Sequence, residues 1–359
     1  MRSRFRRRGH WLVRTAREMD PASLLLAVVQ ILLVTGAFLS FLAQSEWLLT
    51  FLYGFLLAVG LGWVTRQAMT AKIVTFLMTA VTLLTLGLIA AFLVREAMPA
   101  FRQIGLDLVS PFGSNKWATS QNQFSLVPMI WGTFLTTAVA IAVAAPFGVA
   151  GALFISEIAP DWLREIIKPA VELLAGIPSI VYGFIGFTII NPYIGNLFSI
   201  NPGALFAIGI VIGFMALPTV VSVAEDALSA VPDSMKDGSV AMGATEWQTM
   251  KSVSIPTAFS GISAAVLLGI GRAIGETMAA TVMISHSRRL PEPGPSNFFD
   301  STETLTTFIA SSYGHVTPGE IFWSTLFAAG VLLLMIVTGL GVVSQLIQQR
   351  MQRKLRGGK

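Results

Sequence analysis

A chain of 359 residues with 54% hydrophobic and only 12% charged residues, and a mean hydropathy of +0.71, is too apolar for a soluble domain of this length and reads as a polytopic membrane protein. The absence of cysteine excludes disulfide frameworks, thiolate metal sites and cysteine nucleophiles. The formal charge of +5 sits at the chain ends, with seven arginines in residues 2–17 and Arg350, Arg353, Lys354, Arg356 and Lys359 at the close. Without interleaved aromatics these runs read as membrane-surface anchors rather than a nucleic-acid interface.

Eight apolar segments are long enough to cross a bilayer: about 24–43, 47–64, 73–94, 129–155, 166–190, 203–224, 257–284 and 321–346. Backbone polar groups in lipid must be satisfied internally, so each is expected to be helical. The expected fold class is therefore all-α, a polytopic membrane helix bundle with about eight transmembrane helices. An even number of spans puts both termini on one side. Eighteen of the 24 basic residues fall on that side, and Arg95, Arg102, Lys116, Arg288 and Arg289 on the other, with Arg272 inside a span. That bias predicts that both termini are cytoplasmic. The first segment follows an arginine-rich start and ends near Leu42–Ser45 (LAQS), but its apolar run exceeds a usual signal-sequence core and is read as a retained span. Only Gln44–Glu46 separate it from the second, which predicts a tight helical hairpin.

The loops expected on the outside, 95–124 and 285–320, contain SPFGSNKWATSQNQ and RRLPEPGPSNFFDSTETLTT. Their Pro, Gly, Asn and Ser content predicts turns. They are either contact surfaces for something arriving from outside or solvated connections. Spans four to seven are rich in small residues. Gly209 with Gly213 and Gly271 with Gly275 are spaced for close helix approach, and Pro146, Pro178 and Pro218 are expected to kink or break their helices. His10, His286 and His315 are too widely separated for a metal-ligand spacing.

The stretch GIGRAIGETMAA, Gly269 to Ala280, puts Arg272 and Glu276 four residues apart, which on a helix means one shared face. With a helix starting near Thr257, Arg272 lies roughly 22 Å along it at about 1.5 Å per residue, well inside a hydrocarbon layer of about 30 Å. A charge at that depth costs about 2.5–3.5 kcal/mol, so both residues are expected to face the bundle interior and each other. They form either a structural ion pair or an anion site in which Arg272 exchanges between Glu276 and a passing oxyanion, which its planar fork suits. Glu172 is a second acid candidate, with Lys168 as its expected partner. Glu225 and Asp226 are expected to terminate span six, and Ser179, Thr219 and Ser222 offer hydroxyls to a pathway.

The segment 225–256 between spans six and seven carries Gly243 and, ten positions later, Val253, then Ile255 and Pro256. Here the chain resembles the integral membrane subunits of ABC importers, whose loop signature is E-A-A, three residues, Gly, nine residues, I-x-L-P. It reads Asp237-Gly238-Ser239, Gly243, Val253-x-Ile255-Pro256, with the spacing intact and conservative variants elsewhere. The resemblance implies a coupling helix that docks on a separate ATPase. Asp237 would contact that ATPase, one methylene shorter than the usual Glu. Gly243 permits a tight turn, and Trp247, Met242 and Met250 fill a partner's groove. An amphipathic helix lying on the membrane surface is the alternative.

EDALSAVPDSMKDGSVAMGAT followed by GIGRAIGETMAA resembles phosphate importer permeases, and ETMAA is closer to the PstC-type subunit than to its PstA-type partner. Residues 125–160 and 171–184 agree, so the resemblance covers about 70–350. It implies a six-helix importer core in 71–350, preceded by a basic segment 1–20 and an extra hairpin 21–70, and followed by a basic tail 351–359. It also implies a bacterial cytoplasmic membrane location, a PstA-type second permease, an ABC ATPase dimer and an external phosphate-binding protein. No G-x-x-x-x-G-K-[ST] loop occurs, so ATP and Mg are expected on the partner ATPase, with no cofactor in this chain and no enzyme activity of its own. The alternatives are a permease for sulfate or molybdate, a self-contained secondary anion transporter, an intramembrane hydrolase or a non-transporting scaffold.

Overall fold

A computed structural model describes residues 20–112, 117–119, 123–200 and 202–355, with side chains described up to residue 350 except that of residue 348. The basic residues 2–17, together with Lys116, Arg356 and Lys359, lie outside the described residues or their described side chains. The chain divides into two compact units, Met1–Ala91 and Phe92–Lys359.

In the first unit, α1 (Pro21–Leu42) and α2 (Leu48–Thr65) form the expected hairpin, and α3 (Gln67–Gln103) begins directly after it. Proline at the first position of α1 suits a helix start because its missing N–H has no intrahelical acceptor. Small residues set the spacing: a β-carbon at Gly36 would stand 2.7 Å from the Phe51 ring. Gln30, fully buried in this apolar hairpin, donates Nε2 to the Ala58 carbonyl at 3.3 Å. Arg66 closes the open end by donating to the Asp20 carboxylate and the Ser23 hydroxyl.

The second unit holds the remaining elements. α4 (Val127–Leu153) continues through a π-turn to Ile158, and α5 spans Asp161–Gly176. α6 (Ser179–Ile185) runs through a second π-turn into α7 (Asn191–Phe198), followed by α8 (Leu205–Ser229) and α9 (Asp233–Ala241). The four-residue α10 (Glu246–Thr249) passes through a third π-turn, Met250–Ser254, into α11 (Ile255–Gly275). Then come α12 (Met278–Met283), α13 (Leu305–Ser312) and α14 (Ile321–Leu355). Among the described residues, eight helical segments are long and apolar enough to cross a membrane.

α8 is the axis of this unit. Its buried stripe packs on α4, where β-carbons at Gly209 and Gly213 would stand 2.5 Å from the Val139 side chain and 2.9 Å from the Ala140 carbonyl. On its other sides it meets α11 and α12, with Val220, Ala224 and Leu228 against Ala258, Ile262 and Ala265, and Ile208, Val211 and Met215 beside Ala279, Ala280 and Met283. The Gly209–Gly213 spacing therefore serves close packing inside the chain. Gly271 and Gly275 meet nothing within 4 Å, so the second spacing faces outward.

Two expected spans are redrawn. Segment 166–190 is not one helix: α5 is amphipathic with none of its residues buried, and the span is Ser179–Phe198. Pro178 supplies no N–H and holds Ile177 extended, at φ −66° and ψ 129°, so the helix stops. Pro146 and Pro218 lie within α4 and α8 without ending them. The seventh span starts before Thr257, because the helix runs from Glu246 to Gly275. It also ends before 284, because the backbone at Glu276 is extended (φ −67°, ψ 125°). Pro256 stands at the second position of α11, where the π-turn passes into the α-helix of one helical rod.

Candidate functional site

The rod starts at a solvent-facing elbow. Pro232 and Asp233 open α9, which has no buried residue, and the chain turns at Gly243 with φ +88°, a conformation that strains any L side chain. Thr245 then caps α10 by a reciprocal capping box with Gln248. Met242 (86% exposed) and Trp247 (67% exposed), with the exposed Asp237 and Gly238, form the outer surface of the elbow. Its inner surface is pinned. Ser239 Oγ accepts from Thr249 Oγ1 at 3.0 Å, and Met250 is buried, so this methionine anchors the elbow rather than extending to a partner. Met235 and Val240 add to the exposed apolar surface.

Glu157, at the end of α4, is the residue that sequence reasoning missed here. It accepts from Lys236 Nζ on α9 at 2.8 Å, from Ser254 Oγ in the π-turn at 3.2 Å and from Ser156 Oγ at 3.3 Å. One carboxylate thus ties the elbow, the rod and the bundle together beside a cleft of about 400 Å³ that Trp247 also lines. A second tie joins α5 to α8. Lys168 donates to the buried Glu225 at 2.8 Å and lies 3.8 Å from Asp226, while Ser229 Oγ donates to Glu225 at 2.9 Å. The hydrogen bond to Glu225 holds the Lys168 ammonium above its usual range, aided by the nearby carboxylates and opposed by partial desolvation. Lys168 thus takes Glu225 as its partner rather than Glu172, and Glu225 is a buried helix residue rather than a helix end.

Further along the rod, Arg272 and Glu276 do not pair. α11 ends between them, so four residues of separation no longer means one face. Arg272 is exposed and donates only Nε, to the Met215 carbonyl at 3.2 Å. It lines an open cleft of about 650 Å³ with Thr219 of α8 and Gly341 and Ser344 of α14. Glu276 turns the other way. Its Oε1 accepts from the Ala279 N–H at 3.1 Å, and its carbonyl accepts from Thr306 Oγ1 at 2.9 Å. Neither Ser179 nor Ser222 lines this cleft.

Beyond the break, the segment expected to be turns folds back into the bundle. Residues 301–307 are all buried. Glu303, fully buried, accepts from Arg288 Nε at 2.8 Å and from Ser311 Oγ at 2.7 Å, and lies 2.9 Å from His286 Nδ1. The Arg288 guanidinium also stands 5.3 Å from the Trp117 ring centroid and 5.1 Å from that of Phe308. Arg288 is thus an internal pin of this fold, not a solvated loop charge.

A pinned elbow joined by one continuous helix to Arg272, in a chain whose described residues include eight helical segments long and apolar enough to cross a membrane, fits a membrane transport subunit. Residues 144–357 match the family described as binding-protein-dependent transport system inner membrane component, and the chain belongs to that family. It is similar to the probable ABC transporter permease protein YqgH of Bacillus subtilis, 41% identical over 68% of this chain and 79% of the relative. It is also similar to the phosphate transport system permease protein PstC of Haemophilus influenzae, 33% identical over 76% of this chain and 90% of the relative. Its fold is that of the MetNI methionine ABC transporter in an inward-facing form, with a TM-score of 0.50 and 20% identity over 63% of this chain and 95% of that chain. Membership implies an ATPase and a substrate-binding protein as partners.

Proposed function

We propose that this chain is the PstC-type permease subunit of an ATP-driven importer that moves inorganic phosphate inward by alternating access. Arg272 carries the reading. It offers a guanidinium with one donor engaged and the others open to a cleft, about 24 Å along the rod from Pro256 at 1.5 Å per residue. Left against lipid, that charge costs about 2.5–3.5 kcal/mol. A second, PstA-type permease covers this face, together with the open glycines at 271 and 275, and encloses the phosphate path between the two chains. A planar donor fork that stays charged recognises an oxyanion, and relatives named as phosphate transport permeases support phosphate as that anion.

An ABC ATPase dimer, which binds the ATP and Mg, engages the elbow through Asp237, Gly238, Gly243 and Trp247, while Ser239 braces it from within. Rotation of that elbow reaches Arg272 through the rod that contains Pro256. Both termini lie in the cytoplasm of a bacterial inner membrane, and an external phosphate-binding protein delivers at the opposite face. The test is uptake of radiolabelled phosphate by the reconstituted complex, with sulfate and molybdate as competitors. Arg272→Gln is expected to abolish uptake while the complex still assembles. Normal uptake in that variant removes Arg272 from the path, and preferred uptake of sulfate or molybdate reassigns the substrate.

A further inference from the structure

α13 starts in an unusual place. Its N-terminus lies inside the bundle beside the break in the rod, and the surrounding side chains are hydroxyls, one carboxylate and the apolar Ile212, Ala273 and Ile274. Thr304 caps it, accepting from the Thr307 N–H at 3.2 Å, while Thr307 Oγ1 accepts from the Thr304 N–H at 2.8 Å. The Leu305 N–H donates across to Thr133 Oγ1 on α4 at 2.9 Å, and Thr306 Oγ1 donates to the Glu276 carbonyl. These groups surround a closed cavity with no room for a water, whose lining includes Thr133, Thr136, Thr306 and Glu276.

Thr136 is the second, independent observation. It is 2% exposed, lines that cavity, and its Oγ1 has no hydrogen-bond partner. A buried orphan hydroxyl costs about 1–3 kcal/mol, and replacing Thr by Val would remove that cost without changing shape. Threonine at this position is therefore accounted for by a ligand that arrives when the cavity opens. A helix N-terminus attracts anions, hydroxyls donate to their oxygens, and Glu276 has Oε2 left to accept from a protonated one.

We propose that the N-terminus of α13, Thr133, Thr136, Thr306 and the Glu276 carboxylate form a transit site for inorganic phosphate, closed in this conformation by the bonds from Leu305 to Thr133 and from Thr306 to Glu276. This rests on the reading of the chain as a phosphate permease and adds a basis for its selectivity. At neutral pH phosphate keeps at least one P–OH, which donates to the Glu276 carboxylate, while its other oxygens accept from the hydroxyls. Sulfate has no proton to donate, so the same carboxylate repels it. Arg272, which lines a different cleft, attracts both anions alike.

The test is equilibrium binding of radiolabelled phosphate to the assembled complex in nanodiscs, without the binding protein, in the presence and absence of a non-hydrolysable ATP analogue. Saturable binding is expected in at least one of these states. Thr136→Val should weaken it about tenfold, the scale of one hydrogen bond to a charged ligand, at an unchanged or higher melting temperature, and Thr136→Ser should restore it. Sulfate should not compete in the wild type and should compete in Glu276→Gln. Binding in Thr136→Val equal to wild type, sulfate competition in the wild type, or competition by glycerol phosphate, which would indicate a lipid headgroup, overturns the site. Phosphate uptake by the wild type alongside any of these results leaves the permease reading standing. Absence of that uptake removes the reading and the site with it.

Discussion

Glu157→Gln tests whether the elbow is held or merely rests against the bundle. The glutamine keeps the volume and an acceptor but removes the charge that faces Lys236 at 2.8 Å. The Glu157 and Lys236 side chains are 11% and 21% exposed, so the pair is largely but not wholly desolvated. Breaking a fully buried pair costs about 3–5 kcal/mol, and one charge-assisted hydrogen bond contributes about 1.5–3 kcal/mol. The residual exposure and the retained acceptor for Ser254 put the loss near the lower figure, about 2 kcal/mol, or roughly 30-fold in the equilibrium between held and released α9. Hydrogen exchange of residues 233–241 in the assembled complex should accelerate by about that factor, with exchange in α13 unchanged. Lys236→Met alone should behave alike, and the double variant should be no worse than either, since the two side chains act as one unit. Substrate uptake per ATP hydrolysed should fall in all three. Unchanged exchange in Glu157→Gln, or additive effects in the double variant, would refute the reasoning.

Two further outcomes follow from single positions. A β-carbon at Gly243 meets no neighbour within 4 Å, so the penalty of Gly243→Val comes mainly from backbone strain at φ +88°, about 1–2 kcal/mol. It should weaken retention of the ATPase on purification, Gly243→Asn should weaken it less, and equal retention in all three would place the turn outside the docking surface. For Lys168, a pKa raised by Glu225 means a contribution fully present below the unfolded value of about 10.4 and lost as pH rises through the higher folded value. The gap in melting temperature between wild type and Lys168→Met should therefore be flat through neutral pH and close only above about pH 10.4. A gap that closes near neutrality would falsify the assignment.

The spans were legible because apolar length is a local property that lipid reads directly, and the elbow was legible because its spacing survives in one continuous stretch. What stayed hidden depends on partners distant in sequence. Arg272 and Glu276 look like a helical pair until the helix is known to stop at Gly275, and that glycine alone is a weak mark in a segment that also carries Gly269 and Gly271. The groups that stabilise it are the Ala279 N–H and the Thr306 hydroxyl, the latter from thirty residues downstream. Glu157 carried no signal of its role, because its partner Lys236 lies 79 positions away. α5 carries Glu165, Lys168 and Glu172 at helical spacing, an amphipathic signal masked by the apolar α6 that follows Pro178. The run from 301 to 307 is polar in composition yet buried, because capping, the Thr133 contact and the Arg288 pin satisfy its polar groups internally.

The mechanical consequence lies in how few bonds hold the two ends of the rod. At the elbow end, Ser254 in the π-turn shares Glu157 with Lys236, so a displacement of α9 loads the rod at the one stretch where its hydrogen-bond register is already wide. At the far end, the last α11 residue is followed by an extended Glu276 whose carbonyl is held by Thr306. Between them the helix packs on α8 through Ala258, Ile262 and Ala265, and Arg272 Nε adds a polar contact between the two helices at the Met215 carbonyl. A push at α9 that moves the rod as a unit therefore loads both the Arg272–Met215 contact and the Thr306–Glu276 bond, the latter worth about 0.5–1.5 kcal/mol.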